Sequence, residues 1–275
     1  MSSLLEAERI GVAYGRHKPV DDVSLSIGAG ELLVIVGPNG AGKTTLMKLL
    51  TGELSAGSGT IRLDGEPLAA IPAWKLASQR AVMAQASRLA FPFSVAEVVR
   101  IGIDSVGRAL SRGERDHTIA EALAAADIAH LVARSYQTLS GGEQQRVQFA
   151  RTFAQLRAGR RNTARQVLFL DEPVANLDLS HQIALMASAA GLAGEGVGVI
   201  AVLHDLNLAA TFADHVAVMN GGRLHALGTA EAVITRRMVR DVFGVDLCRE
   251  APAPGGLPVV LPQNYTGTRA EPGAA

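Results

Sequence analysis

The stretch Glu31-Leu32-Leu33-Val34-Ile35-Val36-Gly37-Pro38-Asn39-Gly40-Ala41-Gly42-Lys43-Thr44-Thr45-Leu46 decides the fold. From Glu31 to Val36 it is a nearly continuous apolar run, as expected of a strand buried on both faces. Glycines at 37, 40 and 42 follow at once, and Lys43 to Thr51 reads as a helix with Leu46, Leu49 and Leu50 on one face. A strand that turns through glycines into a helix is a cradle for phosphate. Backbone N–H groups can point inward where a Cβ would clash, and the positive end of the helix faces the anion. Lys43 is placed to reach the terminal phosphates of a nucleotide, and the Thr44 hydroxyl to ligate Mg²⁺.

Working outward, Ile10 to Tyr14 and Val20 to Ile27 alternate apolar and polar residues, as half-buried antiparallel strands do. Ser58 to Leu63 and Ala81 to Met83 read as further short strands. From Ser94 to about Arg157 the pattern is helical: Ser94-Val95-Ala96-Glu97 is a capping box, Ile119 to Ala126 is Ala-rich, and Gln144 to Leu156 carries apolar residues at helical spacing. Strands then alternate with helices again: Val167 to Leu170, a helix from Leu179 to Ala193, and Val197 to Leu203. That alternation implies an α/β fold with a mainly parallel sheet. His215 to Asn220 and Arg223 to Gly228, joined at Asn220-Gly221-Gly222, read as a closing hairpin. Asp171 ends a buried strand, so its carboxylate emerges at the sheet edge beside the phosphate loop, where it can hold Mg²⁺ through water. Glu172 points elsewhere and is free to position an attacking water.

A third feature separates this chain from most nucleotide-binding proteins. Leu139-Ser140-Gly141-Gly142-Glu143-Gln144 lies between the phosphate loop and Val167-Leu168-Phe169-Leu170-Asp171-Glu172-Pro173. In that order the three motifs resemble the ATP-binding subunit of an ABC transporter, from near the first residue to about Gly244. The resemblance implies a P-loop ATPase domain over residues 1–250. It would have an antiparallel β subdomain, a helical insert at about 90–157, and an irregular Pro/Gly-rich tail at 251–275. It implies ATP and Mg²⁺ as ligands, with nucleotide held by Tyr14 (stacked on adenine) and by Gly37, Pro38, Asn39, Gly40, Ala41, Gly42, Lys43, Thr44 and Thr45. Thr44, Gln85 and Asp171 would serve the Mg²⁺ ion. Glu172 matches the glutamate that polarises water, His204 the switch histidine at the γ-phosphate, and Gln85 the glutamine that senses Mg²⁺ and water. Asn176 and Asp178 match the loop that crosses to the opposite subunit. The signature turn itself, Leu139 to Gln144, would cap the γ-phosphate held by the other chain of a head-to-tail homodimer.

The likeness narrows further. Ala81-Val82-Met83-Ala84-Gln85, Phe91-Pro92-Phe93-Ser94-Val95, Asp178-Leu179-Ser180-His181-Gln182 and His204-Asp205-Leu206-Asn207-Leu208-Ala209-Ala210 look like importers of iron chelates, heme and cobalamin. The segment before Val167 and the end Phe243-Gly244-Val245 with Pro258-Val259-Val260-Leu261-Pro262 resemble the ATP-binding subunits of bacterial hemin importers in particular. Such a subunit would sit on the cytoplasmic face of the inner membrane, below two copies of a transmembrane permease fed by a substrate-binding protein. A ferric siderophore or cobalamin importer is the alternative within the family, and a non-transport ABC ATPase the alternative outside transport. Two departures stand out: Val174 follows Pro173 where Thr or Ser is usual, and Arg157 to Gln166 is a longer, basic insertion.

Bulk composition bounds the rest. With 26 Lys plus Arg against 26 Asp plus Glu there is no net field to draw nucleic acid. The run Arg157, Arg160, Arg161 and Arg165 reads as a solvated loop, because no aromatics are interleaved to stack bases. With 48% hydrophobic but only 4% aromatic residues, the core must be aliphatic. A single cysteine, Cys248, excludes an internal disulfide. Neither a secretory leader nor a span of ~20 apolar residues is legible, so the expectation is a cytoplasmic chain that leaves the membrane path to another polypeptide.

Overall fold

The computed structural model describes residues 3–84, 91–107, 109–246, 251–252 and 258–260. Gln85, Cys248 and most of the Pro/Gly-rich tail lie outside the described residues. In chain order the elements are β1 (Ser3–Tyr14), β2 (His17–Gly28), β3 (Leu32–Val36), α1 (Lys43–Thr51), β4 (Ser58–Leu63), β5 (Glu66–Pro67), α2 (Ala73–Gln79) and β6 (Arg80–Met83). The helical segment follows with α3 (Val95–Asp104), α4 (Arg112–Ala125) and α5 (Gly141–Gly159). Then come β7 (Val167–Asp171), α6 (Leu179–Gly194), β8 (Gly198–Val202), α7 (Leu206–Phe212), β9 (His215–Asn220), β10 (Arg223–Gly228), α8 (Ala230–Val233) and α9 (Arg236–Phe243).

The central sheet has the order β10-β9-β3-β8-β7-β6, parallel throughout except for the β9–β10 hairpin. β3, β7 and β8 are buried on both faces because successive side chains enter two different cores. Leu32, Val34 and Val36 join the core that holds α3, α5 and α6, whereas Leu33 and Ile35 join the core beneath α1 and the antiparallel sheet. That second sheet has the order β2-β1-β4-β5. The α/β architecture with an antiparallel subdomain and a helical insert is therefore the one read from the sequence.

Three helices of the insert start at the same device. Ser94, Ser111 and Ser140 each cap a helix by accepting from the N–H of a glutamate three residues on, whose carboxylate accepts the serine N–H in return. The second of these boxes starts α4 at Arg112, seven residues before the Ala-rich stretch that betrays it in the sequence. Among the described residues no helix is long and apolar enough to cross a membrane.

The basic run is not a solvated loop. Arg157 donates to Glu195 at 2.9 Å and stacks over Phe153 at 4.8 Å. It also pairs with Glu121 at 2.8 Å, while Arg160 meets Glu195 at 2.7 Å. Arg161 pairs with Glu114 and Arg165 with Asp64. The insertion thus fastens the end of α5 to α4, α6 and the antiparallel sheet through charge-assisted bonds. The tail is not wholly irregular either. β11 (Ala251–Pro252) pairs with β12 (Pro258–Val259), and Val260 exchanges backbone bonds of 2.8 and 3.2 Å with the Asn207 side chain on α7.

Candidate functional site

The phosphate loop is built where β3 ends and α1 begins, and packing makes two of its glycines obligatory. A Cβ on Gly37 would stand 2.3 Å from the Met219 carbonyl oxygen, and one on Gly42 would stand 1.9 Å from that of Pro19. Both residues have positive φ, 153° and 98°. The loop is braced from outside: Gly222 N donates to Ala41 O at 3.1 Å, and Asp21 N donates to Gly222 O at 2.8 Å. Gly42 begins α1 without a side-chain cap, so the first-turn N–H groups are left for a ligand. Lys43 is buried, and its ammonium donates to Gly37 O at 2.7 Å and Pro38 O at 2.9 Å. Burial lowers its pKa, with Glu172 and Asp171 opposing the shift. Pro38, Asn39 and Gly40 are partly or fully exposed, as are Thr44 and Thr45. Tyr14 ends β1 opposite His17 and is 58% exposed, so its ring is available to a ligand instead of being spent in the core.

Asp171 closes β7 at 7% exposure, and its buried Oδ1 has no hydrogen-bond partner among the described residues. It lines a cavity of about 250 Å³ together with Thr44, Lys48, Thr51, Glu53 and Ala84. An orphaned carboxylate oxygen and a hydroxyl facing one cavity suit a hard cation that takes its remaining ligands from phosphate and water. Lys48 and Glu53 are absent from the sequence reading. Thr44, Lys48 and Thr51 stand at i, i+4 and i+7 on α1, a helical spacing that marks them as one face.

Desolvation, then the neighbouring Glu172, pushes the Asp171 pKa up to about 6. Its folded-state value lies above the ordinary one, so its contribution to stability is full below pH ~4 and is lost as pH rises through about 6. Asp171→Asn should therefore raise the melting temperature of the nucleotide-free protein at pH 8. The gain should shrink below pH 6 and vanish near pH 4, as thermal scans across that range would register. A shift of about two units corresponds to about 3 kcal/mol, or several degrees for a chain of this size.

Glu172 has φ 53°, in the left-handed region, and its N–H donates to Val202 O at 3.2 Å. Its carboxylate is not free: Oε1 lies 2.7 Å from His204 Nε2 at the end of β8. Two residues that the sequence keeps 32 positions apart thus form one dyad at the sheet edge, because β7 and β8 are adjacent and parallel.

The signature turn opens into a second cavity. Ser140, Gly141, Gly142 and Glu143 line about 380 Å³ together with Arg146, Asn176, Leu177, Asp178 and His181. The structure thereby joins the signature turn to the predicted dimer loop, while sharing no lining residue with the cavity of Asp171. Leu139 and Gln144 do other work. Leu139 is buried, and Gln144 Nε2 folds back to the Tyr136 and Leu139 carbonyls at 3.2 Å each. Asp178 caps α6, and bonds from the His181 N–H, the Ser180 hydroxyl and the His181 ring hold its pKa at about 2. His181, to which the motif Asp178-Leu179-Ser180-His181-Gln182 assigns no role, is a wall of this cavity.

The sequence profile of the ABC transporter family matches residues 20–175. The chain is similar to the hemin import ATP-binding protein HmuV of Ruegeria sp. (strain TM1040), at 47% identity over 94% of this chain and 98% of that one. It is 42% identical to the protein of the same name from Bradyrhizobium diazoefficiens, over 96% of each. A dimeric ATP-binding cassette solved with ADP and Pi superposes with a TM-score of 0.71 at 24% identity, covering 82% of this chain and 98% of that one.

Proposed function

The chain belongs to the ABC transporter family, and from that premise we propose that it is the ATP-hydrolysing subunit of an importer that carries hemin across the cytoplasmic membrane. The observation that carries the chemistry is the convergence of Lys43, Thr44, Asp171 and the Glu172–His204 dyad on one edge of the parallel sheet. The cargo rests on near full-length identity to hemin import ATP-binding proteins.

Adenine would stack on Tyr14 while the loop from Gly37 to Thr45 surrounds the phosphates with N–H donors. Lys43 would exchange its two carbonyl partners for phosphate oxygens. The Thr44 hydroxyl and Asp171, the latter through water, would hold Mg²⁺, with Gln85 completing the set. When bound, that ion neutralises charge developing on the β- and γ-phosphates. Glu172 would orient the attacking water and accept its proton, with His204 fixing the carboxylate and contacting the γ-phosphate.

Ser140, Gly141 and Gly142 would cap the nucleotide of a second copy, with Asn176 and Asp178 crossing the same interface. ATP then closes a homodimer and hydrolysis releases it, which supplies the stroke to two permease subunits. A substrate-binding protein would deliver the cargo from the other side. The subunit itself is assigned to the cytoplasmic face as a peripheral protein.

Growth tests the cargo. A strain lacking this chain should fail on hemin as sole iron source, grow on a ferric siderophore, and be restored by the wild type but not by Glu172→Gln. Failure on the siderophore alone would keep the ATPase and overturn hemin.

A further inference from the structure

We propose that Gln145 is a positioning residue that ties the signature turn to the backbone of the hydrolytic glutamate within the same chain. Its Nε2 donates to the Glu172 carbonyl oxygen at 2.7 Å. Contacts from distant residues bear on Glu172 at its carbonyl (Gln145), at its N–H (Val202, 3.2 Å) and at its carboxylate (His204, 2.7 Å).

Left-handed backbone at a glutamate is strained and persists only where surroundings over-determine it. The Ala175 N–H also reaches the Glu172 carbonyl, at a longer 3.3 Å, so the turn alone holds it less tightly than Gln145 does. Rotating that carbonyl turns the Glu172 Cα and swings the carboxylate away from His204. Gln145 opposes the rotation from outside the turn.

The location of Gln145 gives the bond a second meaning. It lies five residues beyond Ser140 on α5, about 7.5 Å along a rigid helix. Further along, Gln155 Nε2 donates to Ala77 O at 2.9 Å and Arg80 O at 3.1 Å, and Arg151 Nη2 to Val82 O at 3.3 Å. The helix is thus keyed to backbone carbonyls around β6 at one end and to Glu172 at the other. A ligand that pulls on Ser140, Gly141 and Gly142 moves α5, and Gln145 passes that movement to Glu172. Resting on the reading above, the turn that engages the partner's nucleotide thereby sets the base that serves the chain's own nucleotide.

The test is steady-state ATP hydrolysis by the full chain with Mg²⁺, alongside ATP affinity and melting temperature. Gln145→Ala, and the near-isosteric Gln145→Glu that cannot donate when ionised, should each lower kcat about tenfold, the worth of one hydrogen bond. KM and ATP affinity should stay within about twofold, because the phosphate loop is untouched. Gln145→Lys, which restores a donor, should recover at least half of the activity. In a Glu172→Gln background, Gln145→Ala should add no further loss.

Wild-type kcat in Gln145→Ala would overturn the link, as would a Lys variant as slow as Ala. A parallel fall in kcat, ATP affinity and melting temperature would reduce Gln145 to a packing role. Wild-type hydrolysis by Glu172→Gln would overturn the base and the link together. A stalled Glu172→Gln beside a fully active Gln145→Ala would overturn the link alone.

Discussion

Glu172→Gln should bind ATP as tightly as the wild type yet hydrolyse it about a hundred- to ten-thousandfold more slowly, the range for loss of a general base. The substitution keeps the shape of the side chain and leaves the loop from Gly37 to Thr45 intact. Gln145 and Val202 still hold the backbone at φ 53°, so the fold of the turn survives. What disappears is a carboxylate able to take a proton from water, and one able to accept a charge-assisted bond at His204. A neutral amide at that place should arrest the cycle after binding. Size-exclusion chromatography with ATP and Mg²⁺ should then find a stable dimer where the wild type is mostly monomer. Single-turnover phosphate release at wild-type rate would remove Glu172 from the role of base.

The parts of this site that local sequence dictates were legible. Lys43–Thr51, Ser58–Leu63 and the hairpin 215–228 have the bounds that periodicity and turn residues predict. The apolar run to Val36 forces a two-faced burial that no loop could satisfy. The illegible parts depend on contacts between distant residues. Arg157, Arg160, Arg161 and Arg165 read as a solvated loop because their partners, Glu195, Glu121, Glu114 and Asp64, lie about 35 to 100 positions away.

Irregular backbone hid another feature. β1 begins seven residues before Ile10, but positive φ at Arg9 and a register shift between Ala7 and Ile10 break the alternation that would have announced it. The Glu172–His204 contact is a case of topology. Each residue marks a strand end in the sequence, and only the β7–β8 pairing makes them neighbours.

Ser140→Arg should abolish hydrolysis while sparing ATP binding by the single chain. Ser140 accepts a bond from Glu143 N at 3.3 Å and caps α5, so its loss alone costs about 1 kcal/mol of helix stability. Ser140→Ala separates that cost from the effect of bulk and should retain much of the activity. Arginine instead fills the cavity shared with Gly141, Gly142 and Asn176, away from the cavity of Thr44 and Asp171. In the proposed head-to-tail pair each site would take Lys43 and Glu172 from one chain and Ser140 from the other.

Mixing the inactive Ser140→Arg and Glu172→Gln chains should therefore create heterodimers with one intact site and one doubly defective site. Random pairing should return up to about a quarter of wild-type hydrolysis from two dead proteins. If each chain were a complete enzyme, no mixture of the two could recover activity. Recovery on mixing, absent from either chain alone, is a result that only a composite site produces.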